Sequence, residues 1–131
     1  MAAGGRYLVL TAMIFAVAMM FVDQTIVAIA SPTIQHGLSL TATGSQWVIN
    51  SYLLALAALF ALGGKLGDVL GHRRMVLIGI AAFATTSALC GLTPTGGAAE
   101  SWLIAFRALQ GASGAILFPA ALAIVVASFA P

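Results

Sequence analysis

Charge is what this sequence has least of. Five Lys or Arg and three Asp or Glu make up 6% of its 131 residues, while 62% are hydrophobic; a soluble domain carries roughly 25% charged residues. An ordinary water-soluble globule is therefore excluded. So few basic side chains, spread over so much apolar surface, leave no electrostatic footprint for DNA or RNA, and no nucleic-acid partner is expected. The one cysteine, Cys90, has no second thiol in the chain, which excludes an internal disulfide framework, and neither it nor the isolated His36 and His72 belongs to a metal-binding cluster. No nucleophile elbow, phosphate loop or zinc-protease motif occurs either. The expectation is that the chain is not an enzyme and holds no metal and no cofactor.

What it has instead is long apolar runs. Tyr7 to Ala30 is interrupted only by Asp23 and is followed by Pro32; about 20 apolar residues cross a bilayer as a helix. A secretory signal is the competing reading, with Arg6 as its charged start and Ala28-Ile29-Ala30 as its cleavage site, but this run is too long for one and holds a carboxylate. Further runs follow from Trp47 to Gly64, from Met75 to Leu92, and from Trp102 to Ser128, the last containing Arg107 and Pro119. The fold class expected is all-α, a polytopic transmembrane bundle in one partial membrane domain, with helices at about 7–30, 47–64, 75–92 and 102–128. Ser31 to Gln46 and Thr93 to Gly97 read as outward loops, since they hold turn residues and no Lys or Arg. Small residues at four-residue spacing, Gly63, Gly67 and Gly71, then Gly111 and Ala115, favour close helix packing.

The scarce charges are also placed informatively. Lys65, Asp68, Arg73 and Arg74, half of all charged side chains, lie together in Gly64 to Arg74 (GKLGDVLGHRR) between two apolar runs. Basic residues mark the cytoplasmic side, so this loop and the amino tail with Arg6 belong there, and both termini of a multi-pass plasma-membrane (inner-membrane) protein are cytoplasmic. His36 and His72 read as solvated loop residues. Asp23 and Arg107 are costly inside lipid, roughly 2.5–3.5 kcal/mol each on insertion scales, and such residues mark pathways. Asp23 lies about seven residues before the outer end of its helix and Arg107 about six after the outer start of its own. At 1.5 Å per residue both sit roughly 10 Å below the outer surface, where neighbouring helices would bring them together. The functional reading is that Asp23 binds a transported proton or a cationic substrate, with Arg107 favouring its charged form while close; a structural pair is the alternative.

Three stretches in order, covering all four helices, resemble the major facilitator superfamily and, more narrowly, its drug:proton antiporters of the fourteen-helix type. GKLGDVLGHRRMV resembles the loop between helices two and three, G-x-L-a-D-r-x-G-r-k-x-x-l, through Gly64, Leu66, Asp68, Gly71 and Arg73, with Val69 and His72 where basic residues are usual. LIAFRALQGASGA is similar to the helix-four motif l-x-x-x-R-x-x-q-G-x-g-a at Arg107, Gln110 and Gly111. Asp23-Gln24-Thr25-Ile26-Val27 is similar to the D-x-T-I/V-V motif of helix one, although its sequel is Ala30-Ser31-Pro32 rather than Ala-Leu-Pro; Gln46-Trp47-Val48, with Tyr52 and Leu53, resembles helix two.

The resemblance implies proton coupling or substrate contact at Asp23, Arg107 and Gln110, and a conformational gate at Gly64, Asp68, Gly71, Arg73 and Arg74, with Asp68 as its latch. It also implies a fragment, the first four helices of an amino-terminal half, completed by the remaining helices of a transporter that exchanges protons for hydrophobic or cationic small molecules across the lipid bilayer. Two alternatives stay open. A complete four-helix small multidrug exporter has nearly this length and a carboxylate in helix one. A non-transporting membrane scaffold would pair its buried charges with a partner.

Overall fold

The computed structural model describes residues 3–130, and every regular element among them is helical. Four helices follow one another: α1 (Ala3–Gly37), α2 (Ala42–Leu70), α3 (His72–Gly91) and α4 (Ala99–Phe129). Each is long and apolar enough to cross a membrane. At 1.5 Å per residue the shortest, α3, spans about 30 Å and α1 about 50 Å, so α1 extends past the hydrocarbon layer.

The helices run well beyond the apolar stretches, and this corrects the loops expected from sequence. Ser31 to Gln46 is mostly helix: α1 continues through Pro32 to Gly37, and α2 begins at Ala42. Polarity in this stretch marks where lipid ends, and a polar helix in water needs no loop. Pro32 loses its own N–H bond and its ring crowds the Ala28 carbonyl one turn back, a cost that lies near the end of α1, five residues before Gly37. Thr41 starts α2, its hydroxyl accepting from Gly44 N–H at 2.9 Å, a normal N-cap.

Gly64 to Arg74 is likewise no eleven-residue loop. α2 runs to Leu70, α3 opens at His72, and the break is the single residue Gly71 at φ 94°, a left-handed conformation that side chains disfavour. Gly64 and Asp68 therefore ride on the last turns of α2, and Arg73 and Arg74 on the first turn of α3. His72 is no freely solvated loop residue, since its ring packs over Gly67 with Nδ1 buried.

α4 is the central helix, with α2 and α3 packed along it and α1 touching α4 and α2 more sparsely. The α2–α4 contact is backbone on backbone. A Cβ on Gly111 would collide with the Tyr52 carbonyl, and one on Gly63 with that of Ala115, the close approach that small residues permit. At one end of the bundle Tyr7 and Arg6 of α1 meet Phe129 of α4. At the other, the Glu100 carboxylate of α4 accepts from the Thr41 N–H and hydroxyl at 2.9 and 3.0 Å, clasping the start of α2.

Candidate functional site

The site forms where α1, α2 and α4 meet, around a guanidinium that lipid would not tolerate alone. Arg107 is 1% exposed. Its Nη1 donates to Asp23 Oδ2 and to Gln110 Oε1, both at 2.7 Å, and its Nε to the Val48 carbonyl at 3.3 Å. Its Nη2 donates to Gln24 Oε1. Four of its five N–H groups thus have named acceptors. The guanidinium carbon also lies 4.5 Å from the centroid of the Tyr52 ring, a cation–π contact strengthened by the loss of water.

Each partner is placed by its helix. Arg107 and Gln110 are three residues apart on one face of α4, so Gln110 can donate from Nε2 to Asp23 Oδ1 at 3.0 Å while its oxygen stays on Arg107. Val48 and Tyr52, four apart on α2, present a carbonyl and a ring to the same guanidinium. Gly111 allows α2 to come close enough. Asp23 and Gln24 are consecutive on α1 and reach Arg107 from two sides. The Cys90 thiol lies 3.9 Å from Gln110 Oε1.

The arrangement holds a carboxylate in two-point contact with a cation and an amide, deep enough that attraction is far stronger than in water. A proton arriving at Asp23 competes with Arg107 Nη1 for the same oxygen. Asp23 is 19% exposed at its side chain while Arg107 is sealed, and a groove of about 540 Å³ between α1 and α3, lined by Asp23, Met19, Phe83 and Ser87 among others, leads to it. A carboxylate so placed is a group that can take up and release a proton.

Of the residues singled out from sequence, Asp23, Arg107 and Gln110 come together here. Gly64, Asp68, Gly71, Arg73 and Arg74 do not; they lie at the α2–α3 junction. There the exposed Asp68 has His72 Nε2 at 3.4 Å, and among the described residues it forms no ion pair with Arg73 or Arg74. Sequence reasoning did not assign roles to Gln24, Tyr52 or the Val48 carbonyl. Gln24 carried a signal, a polar amide in an apolar run beside Asp23; a backbone carbonyl carries none.

A buried arginine on the central helix, held by an acid on the first, sits among residues that match a known family along nearly the whole chain. Residues 13–131 fit the model of the Major Facilitator Superfamily. The chain belongs to the major facilitator superfamily. It is thus a multi-pass membrane protein of a transporter family. It is 45% identical, over 93% of its length, to the tetracenomycin C resistance and export protein of Streptomyces glaucescens. It is 38% identical over 97% of its length to the methylenomycin A resistance protein of Streptomyces coelicolor, and 41% over 79% to the multidrug efflux pump LfrA of Mycolicibacterium smegmatis. The matched region spans 22%, 27% and 20% of those relatives respectively.

Proposed function

We propose that this chain supplies four helices of a proton-coupled drug exporter of the major facilitator superfamily, and that Asp23, Arg107 and Gln110 are its coupling site. The observation that carries the reading is the buried ion pair: Arg107 and Asp23 are joined at 2.7 Å across two helices, and Gln110 bonds to both. Relatives named as export and resistance proteins support drug efflux, and the small share of their length matched here supports a role within a larger transporter.

In the mechanism, protonation of Asp23 removes its charge and releases Arg107 Nη1, so that α1 loses its ionic tie to α4 and the two rearrange. Deprotonation toward the other side restores the pair. The α2–α3 junction around Asp68, with Gly71 as its pivot, gates the cytoplasmic opening. Lys65, Arg73 and Arg74 at that junction and Arg6 beside the end of α4 support cytoplasmic placement of both termini in the plasma membrane.

The test is Asp23→Asn in the complete transporter that carries these helices. Proton-driven drug efflux should fall to background in inverted vesicles, with protein level unchanged. Full efflux by that variant would remove Asp23 from the mechanism.

A further inference from the structure

Among the described residues, one buried side-chain polar atom has no hydrogen-bond partner, and it is Nδ1 of His72 at the α2–α3 junction. Such an atom calls for an explanation. His72 opens α3 directly after Gly71, and the left-handed turn there folds its ring back over the last turns of α2. A Cβ on Gly67 would lie 2.6 Å from Nδ1 and 3.1 Å from Cε1, so the ring fills the space that a side chain at position 67 would take. The other ring nitrogen, Nε2, lies 3.4 Å from Asp68 Oδ1. The imidazole is thus lodged on one edge and faces a carboxylate on the other.

The two edges decide which nitrogen carries the proton. An N–H on Nδ1 would be a buried donor without an acceptor, so the proton of the neutral ring belongs on Nε2. A second proton has to go on Nδ1, where it meets the Gly67 backbone and no acceptor, and the charged ring cannot keep this place. The surrounding cations push it the same way: Arg73 and Arg74 follow on α3, Lys65 stands on α2, and the amino end of α3 is itself electropositive. α4, whose Pro119 comes near Gly64, has no titratable side chain between Ala108 and Phe129, and Arg6 of α1 stays beside Phe129. Asp68 is the one acid at this junction, since Asp23 is held by Arg107 and Glu100 by Thr41. With its side chain 74% exposed, it can follow a ring that swings outward.

Resting on the transporter reading above, we infer that His72 is a second proton-binding site, separate from Asp23, and that its protonation from the cytoplasm releases the α2–α3 junction. Neutral, the ring wedges against Gly67 and leaves Asp68 free to latch the gate. Charged, it leaves Gly67 and pairs with Asp68. That takes the latch away and loosens the turn closed by Gly71 N–H to the Gly67 carbonyl at 2.9 Å and Met75 N–H to the Gly71 carbonyl at 3.2 Å. An arginine at this position, where basic residues are usual, would stay charged throughout. Histidine is the side chain whose charge ordinarily changes between pH 5 and 8, so it makes this part of the gate answer to cytoplasmic acid.

The test uses the complete transporter carrying these helices, in lipid nanodiscs. Ring nitrogen NMR signals of labelled histidine, assigned to His72 through their loss in His72→Phe, should show a bare Nδ1 and a protonated Nε2 at pH 8, and protons on both at pH 5. Amide hydrogen exchange over residues 64–76 is compared between variants at one pH, so that intrinsic rates nearly cancel. The wild type should exchange at least about three-fold faster than His72→Phe at pH 5 and at the same rate at pH 8. Gly67→Ala, whose methyl takes the ring's place, and His72→Arg should exchange fast at both pH values. Asp23→Asn should leave all these signals unchanged while abolishing proton-driven efflux, so the two proton sites are tested apart. Wild-type exchange equal to that of His72→Phe at both pH values, a His72 ring that takes no second proton down to pH 5, or a proton on Nδ1 at pH 8 would each overturn the assignment. If exchange follows His72 while drug efflux in inverted vesicles, whose bath sets the cytoplasmic pH, has one pH profile in wild type and His72→Phe, the gate reading fails and the proton site stands.

Discussion

α1 and α4 look alike as sequence and live in unlike surroundings. Each exceeds thirty residues, each contains one proline, and each carries one charged side chain in mid-span. Yet 33% of the most apolar stretch of α4 is buried, against 11% of that of α1. The difference lies in small residues. α4 buries Gly111, Gly114, Ala115, Ala120 and Ala121, which let α2 and α3 approach its backbone, whereas α1 shows bulky Leu8, Phe15, Phe21 and Ile29 outward. Where packing is sparse, a few polar bonds carry a larger share of the attachment. α1 is held by the polar bonds of Asp23 and Gln24 together with a narrow apolar seam around Ala16 and Met20, while α4 is fixed by shape along its length.

That contrast can be broken or sharpened by substitution, with stability read as unfolding in detergent. Removing the donor on the fixed helix, Arg107→Leu, should cost about 3–5 kcal/mol, because it strands a partly buried carboxylate and two amides. Removing the acceptor on the loose helix, Asp23→Asn, should cost only about 1–2 kcal/mol, since Gln24, Gln110 and Val48 still receive the guanidinium. Equal losses would refute the asymmetry between the two helices. Next in size, Gly111→Val forces a side chain into the Tyr52 carbonyl and should cost about 2–3 kcal/mol; Gly37→Ala at the end of α1, with nothing within 4 Å, should stay within about 0.5 kcal/mol. Glu100→Gln weakens the clasp on Thr41 and should cost about 1 kcal/mol, with faster amide exchange confined to the first turn of α2. Phe15→Leu, on the exposed face of α1, should like Gly37→Ala stay below about 0.5 kcal/mol.

Much of the fold was legible because a bilayer constrains composition so strongly: four apolar runs gave four helices. The helix ends were less legible. Apolarity reports where lipid stops, and α1 and α2 continue into water until a residue such as Gly71 or Ser39 leaves helical geometry. The juxtaposition of Asp23 and Arg107 followed from matching their depths. Their further partners did not, since the Val48 carbonyl is invisible in a sequence and Tyr52 reads as one more aromatic in an apolar run. That Phe21 and Asp23 border different grooves depends on which side of α1 each residue takes relative to α4, and no one-dimensional pattern reveals that neighbour.

Gln110 gives the site a property that neither charged residue has alone. Its oxygen stays on Arg107 while its nitrogen holds Asp23, so under the proposed mechanism an arginine released by the acid would be handed over instead of abandoned. Gln24 and Val48 stay in attendance as well. In the proposed cycle the cation would never face bare hydrocarbon, and the two helices would part through a staircase of small steps where a lone ion pair would present a cliff.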